Sequence, residues 1–492
     1  MSQSSMKIKS ADPEMLKLTA FATSHQPRSY VNSLVRLHHP FSEAERLEAA
    51  LKAGWNVFQF PSERLCGGDL LSDSGTTTLT TEQFSALVLG DESYGSNWGY
   101  FKLLEAMESA FGIDFNEWEF YLFHQGRAAE HALFTQLTGE NLIIPSNSFF
   151  DTTRANAEAN RIDARDLVSE ELKSDPRYPF KGNMDLKKLE RLLEEHHRQI
   201  PLVFSTITNN TAGGQPVSLA NIRDTRRLCD KHGIPFFLDA CRFAENAWFI
   251  REREEGYKNK SVAAIAKEEF SLCDGFTISF KKDGLANMGG ALAIRKDSRL
   301  VKRYPDIFEK LRDHQILVEG HPTYGGLSGR DIMTITIGLE TVIKENYLRG
   351  RIGQVEEFGN YLRQAGIPVV EPFGGHAVYI DTDKFFDGTK IKKGDFGGIS
   401  LTALLLLKGV RLCELGAFAF GTYNPETKKE TFPPHNFVRA AVPRNKYEIQ
   451  DLFYVADCIK GLYDRRDSMP KAIPVYGKEK TLRHFKARFE LI

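Results

Sequence analysis

Lys281, Lys282 and Asp283 stand directly after the β-type run Phe276–Thr277–Ile278–Ser279 and before the glycine-rich Asn287–Met288–Gly289–Gly290. A lysine at the end of a buried strand is desolvated, which lowers its pKa and makes its amine nucleophilic, as a Schiff-base lysine requires. Two solvated loop lysines would account for the same residues. Asp239 closes the apolar run Ile234–Leu238. Ligands of open α/β sheets lie beyond the carboxyl ends of strands, and a carboxylate there can keep a pyridine nitrogen protonated. An N-cap for the following segment is the plainer alternative. Gln125–Gly126–Arg127 lie between the strand-like Phe120–Phe123 and the helical Ala128–Thr138. A glycine at such a turn exposes backbone N–H groups, and a helix N-terminus attracts phosphate. Each piece alone is weak; their order along one α/β chain says more.

The elements that must hold these residues are legible around them. Leu142–Ile144, Leu202–Thr206, Pro235–Leu238 and Phe276–Ser279 are short, apolar and rich in β-formers. Ser218–His232, with Leu219, Ile222 and Leu228 as apolar positions and Gly233 as a stop, predicts a helix between two of them. Met184–His196 predicts another, its stripe formed by Leu186, Leu189, Leu192 and Leu193. Strand–helix alternation of this kind predicts a parallel-type α/β sheet. Beyond about Glu345 the pattern changes to an amphipathic stretch, Val355–Ala365, and two strand-like runs, Pro368–Val370 and Ala377–Ile380.

The 492 residues carry 64 basic and 65 acidic side chains, a balance with no electrostatic footprint for nucleic acid or an anionic membrane. The apolar run Leu404–Leu407 stops at Lys408, far too short to cross a bilayer. Cys66, Cys229, Cys241, Cys273, Cys413 and Cys458 are scattered without metal-ligand spacing, which points to reduced thiols. The polar Met1–Lys17 has no signal-peptide core, so the expected location is the cytoplasm.

Longer runs carry a resemblance. Asn209–Ser218, Asp239–Ala247, Ser279–Asp283, Tyr324–Asp331 and Leu482–Phe485 resemble, in order, the signatures of the β-eliminating lyases, tryptophanase and tyrosine phenol-lyase. The resemblance runs from about Pro27 onward and implies a fold-type-I pyridoxal 5'-phosphate (PLP) enzyme. The implied fold is a large α/β domain with a mixed seven-stranded sheet flanked by helices, plus a smaller α+β domain. The expected division is an N-terminal arm over 1–21, a segment over 22–80 contributing to the small domain, a large PLP-binding domain over 81–345, and a C-terminal small domain over 346–492. It further implies that Lys282 forms the Schiff base and abstracts the α-proton, and that Asp239 pairs with the ring nitrogen. Asn210 and Arg242 would contact the ring oxygen. Gln125, Gly126, Arg127 and Ser279 would hold the phosphate, and Phe150 would stack on the ring. Arg439 would grip the substrate carboxylate, Ser72 would stand where the family has threonine in the substrate site, and Tyr94 matches the catalytic tyrosine. A potassium or ammonium ion would be held by oxygens of Gly75, Glu92 and Asn287. Homotetramers built from catalytic dimers are implied as well.

Three positions bear on the leaving group. Asp151 stands where phenol-cleaving members carry threonine, Leu415 where they carry an arginine for the phenolic oxygen, and His484 where they carry phenylalanine. A site without the right group for a buried oxygen discriminates by orders of magnitude. The expectation is therefore β-elimination of L-tryptophan to indole, pyruvate and ammonia. The alternative is a tyrosine phenol-lyase or a lyase of relaxed specificity for S- or O-substituted amino acids. Phe280, Ser72, His321, Cys66–Gly68 and the altered run Gly95–Tyr100 depart from the family pattern and put the shape of the substrate pocket in doubt.

Overall fold

The computed structural model describes residues 35–492. The expected arm over 1–21, and the first part of the segment after it, lie outside the described residues.

Seven strands form the central sheet: β1 Trp118–Phe123, β2 Ile143–Ser146, β3 Asp163–Asp166, β4 Val203–Thr206, β5 Phe236–Asp239, β6 Gly275–Ser279 and β7 Gly290–Arg295. Their spatial order is β1-β7-β6-β5-β4-β2-β3. Strands β3, β2, β4, β5 and β6 run parallel, and β7 is antiparallel to both β6 and β1. This is the mixed seven-stranded sheet expected. Parallel strands covered on both faces read as continuous apolar runs, which is why β4, β5 and β6 are buried at every position.

The helices obey their local signals. Ser218 caps Leu219–His232 by accepting from the Asn221 N–H, and Gly233 ends it at φ 69°. Asp185 caps Leu186–His196, whose Leu189, Leu192 and Leu193 face inward. The amphipathic stretch expected over 355–365 is the second half of a longer helix, Glu345–Gln364, which packs on Ile449–Tyr463.

A second core surrounds a three-stranded antiparallel sheet in which β8 (Ala377–Asp381) and β9 (Cys413–Leu415) flank β10 (Phe437–Ala441). Pro368–Val370 is not a full strand; only Val369 bridges to Ile380. Pro368 and Pro372 on either side have no N–H to give a ladder. Gly68–Asp69 pairs in parallel with Val410–Arg411, and Arg411 donates twice to Asp69, at 2.9 and 2.6 Å, tying the N-terminal segment to the C-terminal core. Leu404–Leu407 end the helix Gly397–Leu407, which is buried on nearly every side. No helix among the described residues is long and apolar enough to cross a membrane.

Candidate active site

Strands β4, β5 and β6 end at one edge of the sheet with Thr206, Asp239 and Ser279, and the antiparallel β7 begins there, Gly290 opposite both Ser279 and Phe123. A cavity of about 90 Å³ opens at this edge. Lys281, Lys282, Asp239, Asn210, Arg242, Arg439, Gln125, Gly126, Arg127, Phe150, Ser279 and Ser72 all line it. Residues scattered over more than 350 positions of sequence thus meet in one place.

The chain approaches itself closely where the phosphate cradle was expected. A Cβ on Gly290 would fall 2.2 Å from the Gln125 carbonyl carbon, and one on Gly126 would fall 2.7 Å from Ser279 Cβ. Helix Gly126–Gln136 starts at Gln125 with no side chain capping it, leaving its first N–H groups facing the cavity edge. The Gln125 amide is held 2.9 Å from His124 Nε2, whose Nδ1 donates to Glu319.

Lys282 leaves the end of β6 half-buried, its Nζ 4.0 Å from Cys241 Sγ. Burial, then the charges of Lys282 and Arg127, pull the neighbouring Lys281 amine below its usual pKa. Asp239 is buried and its Oδ1 accepts from the Cys241 N–H at 3.3 Å.

Arg242 binds Asp73 with two bonds, at 3.0 and 2.7 Å, and Arg444 reaches the same carboxylate at 2.9 Å. Burial opposes ionisation of Asp73, but Arg242 and its neighbours outweigh it and hold the carboxyl well below the usual range. Arg444 also donates to Glu245 at 2.7 Å and to Asp283 at 2.8 Å. Burial and the Glu245 charge push the Asp283 carboxyl up to about 6. Asn210 is equally constrained: its Oδ1 lies 2.5 Å from the Tyr379 hydroxyl, 3.1 Å from Arg439 Nη1 and 3.1 Å from His376 Nε2. Arg439 spends Nη2 on the Leu71 carbonyl at 2.9 Å and keeps a buried Nε with no partner among the described residues.

Beside this cavity lies a cleft of about 1010 Å³ lined by Asp151, Leu415, Phe420 and the 478–483 loop. Asp151 and His484 meet there through a 2.9 Å contact between Oδ2 and Nε2, both residues buried, with Phe58 packed against the imidazole at 5.6 Å. Of the three positions expected to bear on the leaving group, Asp151 and Leu415 line this cleft and His484 is bonded to Asp151.

Two expected residues are not brought in. Tyr94 is 73% exposed and rests against His321 and Tyr324, at ring distances of 5.7 and 5.5 Å. Glu92 is exposed and pairs with Arg330. Gly75 and Asn287 do meet: the Asn287 amide donates to the carbonyls of Gly75 at 3.1 Å and Thr77 at 3.0 Å. Of the unusual residues, Phe280 is fully buried in the main core rather than in either cavity, and His321 shares the Tyr94 surface.

Sequence reasoning missed Asp73, Glu130, Arg444, Glu245, His376 and Tyr379. Asp73 follows Ser72, Glu245 lies within Asp239–Ala247 and Glu130 within the predicted helix after Arg127, but their roles, like those of Arg444, His376 and Tyr379, become visible only when distant segments are folded together.

The geometry fits PLP. An uncapped helix start with close glycines suits a dianionic phosphate, and a buried carboxylate stands at the end of a strand with a lysine at the end of the next. The family model for β-eliminating lyases matches residues 69–458. The chain belongs to the β-eliminating lyase family. It is 42% identical over 452 residues to a tryptophanase of Rhodobacter capsulatus, covering 91% of this chain and 95% of that one. It is 40% identical over 451 residues to a tyrosine phenol-lyase of Symbiobacterium thermophilum, covering 91% and 94%. A probable beta-eliminating lyase of Trichomonas vaginalis matches at 39% over 464 residues, covering 94% and 98%. Among solved structures, a serine palmitoyltransferase of Sphingomonas wittichii superposes with a TM-score of 0.53 at 12% identity, covering 82% of this chain and 88% of that one, a likeness of fold alone. This β-eliminating lyase is thus a fold-type-I enzyme, a PLP-dependent carbon–carbon lyase.

Proposed function

We propose that this lyase cleaves L-tryptophan to indole, pyruvate and ammonia. The observation that carries the reading is the buried Asp151–His484 pair at the cleft that Leu415 also lines. An indole N–H needs an acceptor, which Asp151 offers. A phenolic oxygen would need a donor, and Leu415 offers none.

PLP, when bound, supplies the electron sink that makes the substrate α-proton removable. Gln125, Gly126, Arg127 and Ser279 would hold its phosphate, Asp239 its ring nitrogen, Asn210 and Arg242 its ring oxygen, and Phe150 would lie against its ring. The buried Arg439 Nε is free to take the substrate carboxylate, giving Arg439 a charge-assisted grip. Lys282 takes the α-proton. An aryl carbon leaves only once it is protonated, so a general acid must deliver a proton to the indole ring. Asp151 and His484 hold that ring in place for it.

Tyr94 and Glu92 complete the site from a second copy of the chain, in a homotetramer of catalytic dimers. The exposure of both supports this, as do the exposed apolar Val88, Leu89, Trp98 and Phe101 around them. Glu92 of one copy, with Gly75 and Asn287 of the other, would offer oxygens to potassium or ammonium. A second reading, a lyase of relaxed specificity acting on tyrosine or S- or O-substituted amino acids, is favoured by His321 and the altered Gly95–Tyr100 run beside Tyr94.

The test is a substrate panel. PLP-loaded enzyme in potassium buffer is given L-tryptophan, L-tyrosine or S-methyl-L-cysteine, and pyruvate is measured with indole or phenol. Equal indole and pyruvate, with little phenol, is the expected result. Faster phenol release from tyrosine would sink the reading, and pyruvate from S-methyl-L-cysteine alone would favour the second.

A further inference from the structure

Glu130 is a buried acid in the wall of the cofactor cavity. It lies on the inner face of helix Gly126–Gln136, one turn beyond the phosphate cradle, and is only 5% exposed. It lines the cavity together with Asp239, yet its Oε2 meets no hydrogen-bond partner among the described residues. The groups that face it are few. Asp239 comes from the end of β5, Lys282 from the loop after β6, Arg127 from its own helix, and the Thr153 hydroxyl from helix Asp151–Ala159. Two carboxyl groups buried in the wall of one cavity cannot both ionise cheaply, so a proton is retained there. Burial and the Asp239 charge push the Glu130 carboxyl up to about 8, which places that proton on Glu130 at neutral pH.

We propose that Glu130 is a positioning residue for Asp239: an uncharged carboxylic acid that donates a hydrogen bond on the Asp239 side of the cavity and keeps the pair at one negative charge. A single charge matches a single protonated ring nitrogen. Two would leave one buried carboxylate uncompensated, and an apolar residue would leave Asp239 free to turn away. The inference rests on Asp239 being the partner of the ring nitrogen.

Two measurements test it. Infrared spectra of the full chain freed of PLP report neutral carboxyl groups directly. The wild type minus Glu130→Gln difference at about pH 6.5 should contain a protonated-carboxyl band that fades as pH rises through about 8. The buried Glu269, whose carboxyl burial also raises, contributes equally to both proteins and cancels. An absent band overturns the proposal. The second measurement is PLP affinity. Glu130→Gln keeps an uncharged donor and should bind PLP within about three-fold of wild type. Glu130→Met keeps the volume without the donor and should bind about ten-fold more weakly or worse, the usual scale for a lost hydrogen bond to a charged group. Met binding as tightly as wild type, or Gln as weakly as Met, overturns it. Should Glu130→Met not fold, the infrared band and Glu130→Gln still decide. Asp239→Asn serves as the separate control. If it leaves PLP affinity and the cofactor's visible absorption unchanged, the reading of Asp239 fails, while the infrared band still reports the proton on Glu130.

Discussion

Replacing Asp73 by Asn should show how far the cofactor end of the site depends on charges the cofactor never touches. Six buried groups form the network, Arg242, Arg351 and Arg444 against Asp73, Glu245 and Asp283, and none of their side chains is more than 4% exposed. Asp73 accepts three of its bonds, two from Arg242 and one from Arg444. An asparagine has the same shape, but it leaves one positive charge in excess and turns an N–H₂ group toward a guanidinium. Breaking a buried pair by removing one partner costs about 3–5 kcal/mol. Arg242 has two of the three bonds to lose, and it is the arginine that lines the cofactor cavity. We therefore expect PLP to bind roughly 10- to 100-fold more weakly, with kcat/KM falling by a similar factor, a share of about 1.4–2.8 kcal/mol. Equilibrium dialysis of PLP against the apo-protein and steady-state assays at saturating PLP separate the two effects. Arg444→Met is the comparison: Arg444 does not line the cavity, so it should lower the urea midpoint more than it weakens PLP. If Asp73→Asn binds PLP within two-fold of wild type and keeps its kcat/KM, the network does not position Arg242 and the reasoning fails.

Other consequences can be checked with the same protein. His484→Phe combined with Leu415→Arg removes the partner of Asp151 and introduces a donor for a phenolic oxygen; the ratio of kcat/KM for tryptophan over tyrosine should fall by about 10²-fold or more. Mixing Tyr94→Phe with Lys282→Ala subunits under exchange should restore about a quarter of wild-type activity, because half the dimers are mixed and each holds one intact site. No restoration would show that Tyr94 serves its own chain or no site. Glu130 also imposes a pH slope on stability. Its carboxyl rises from 4.5 to about 8 on folding, so the folded apo-protein binds an extra proton between those values and loses stability as pH rises through them. Urea midpoints of wild type and Glu130→Gln should diverge between about pH 5 and 8, the variant becoming the more stable, and parallel curves would count against the raised carboxyl.

Much of the cofactor end could be read from the chain because its residues sit at places local chemistry marks. Asp239 and Ser279 end apolar strands, Gly126 starts a helix after a strand, and Lys282 follows Ser279 after two residues. Period and punctuation place such residues without any knowledge of distant contacts. The strand order was not legible in the same way, since nothing local says that β7 inserts antiparallel between β6 and β1. Nor was the Asp73 network. Its members lie up to 371 positions apart and join only when the N-terminal segment, helix Phe243–Arg253 and the strand end at Arg439–Arg444 converge. Phe280 shows the opposite error: an unusual residue next to the lysine looked like a change to the substrate pocket, but its ring is core.

That contrast explains how one fold can release different aromatic rings. The cofactor end is over-determined: Asn210 is held by three side chains and Arg242 by a bidentate carboxylate that a second arginine also grips, so a single change there strands a buried charge. The end proposed to hold the leaving group is built differently. Asp151 is held by one imidazole and the Thr152 N–H, His484 keeps a buried Nδ1 without a partner among the described residues, and Leu415 lines an open cleft. Substitutions there disturb one buried pair and leave the arginine–carboxylate network of the cofactor end intact. Specificity should therefore move by exchange of the residues at 151, 415 and 484, while PLP affinity stays within a few-fold. A loss of PLP affinity in the His484→Phe, Leu415→Arg protein as large as that in Asp73→Asn would show that the two ends are not separable.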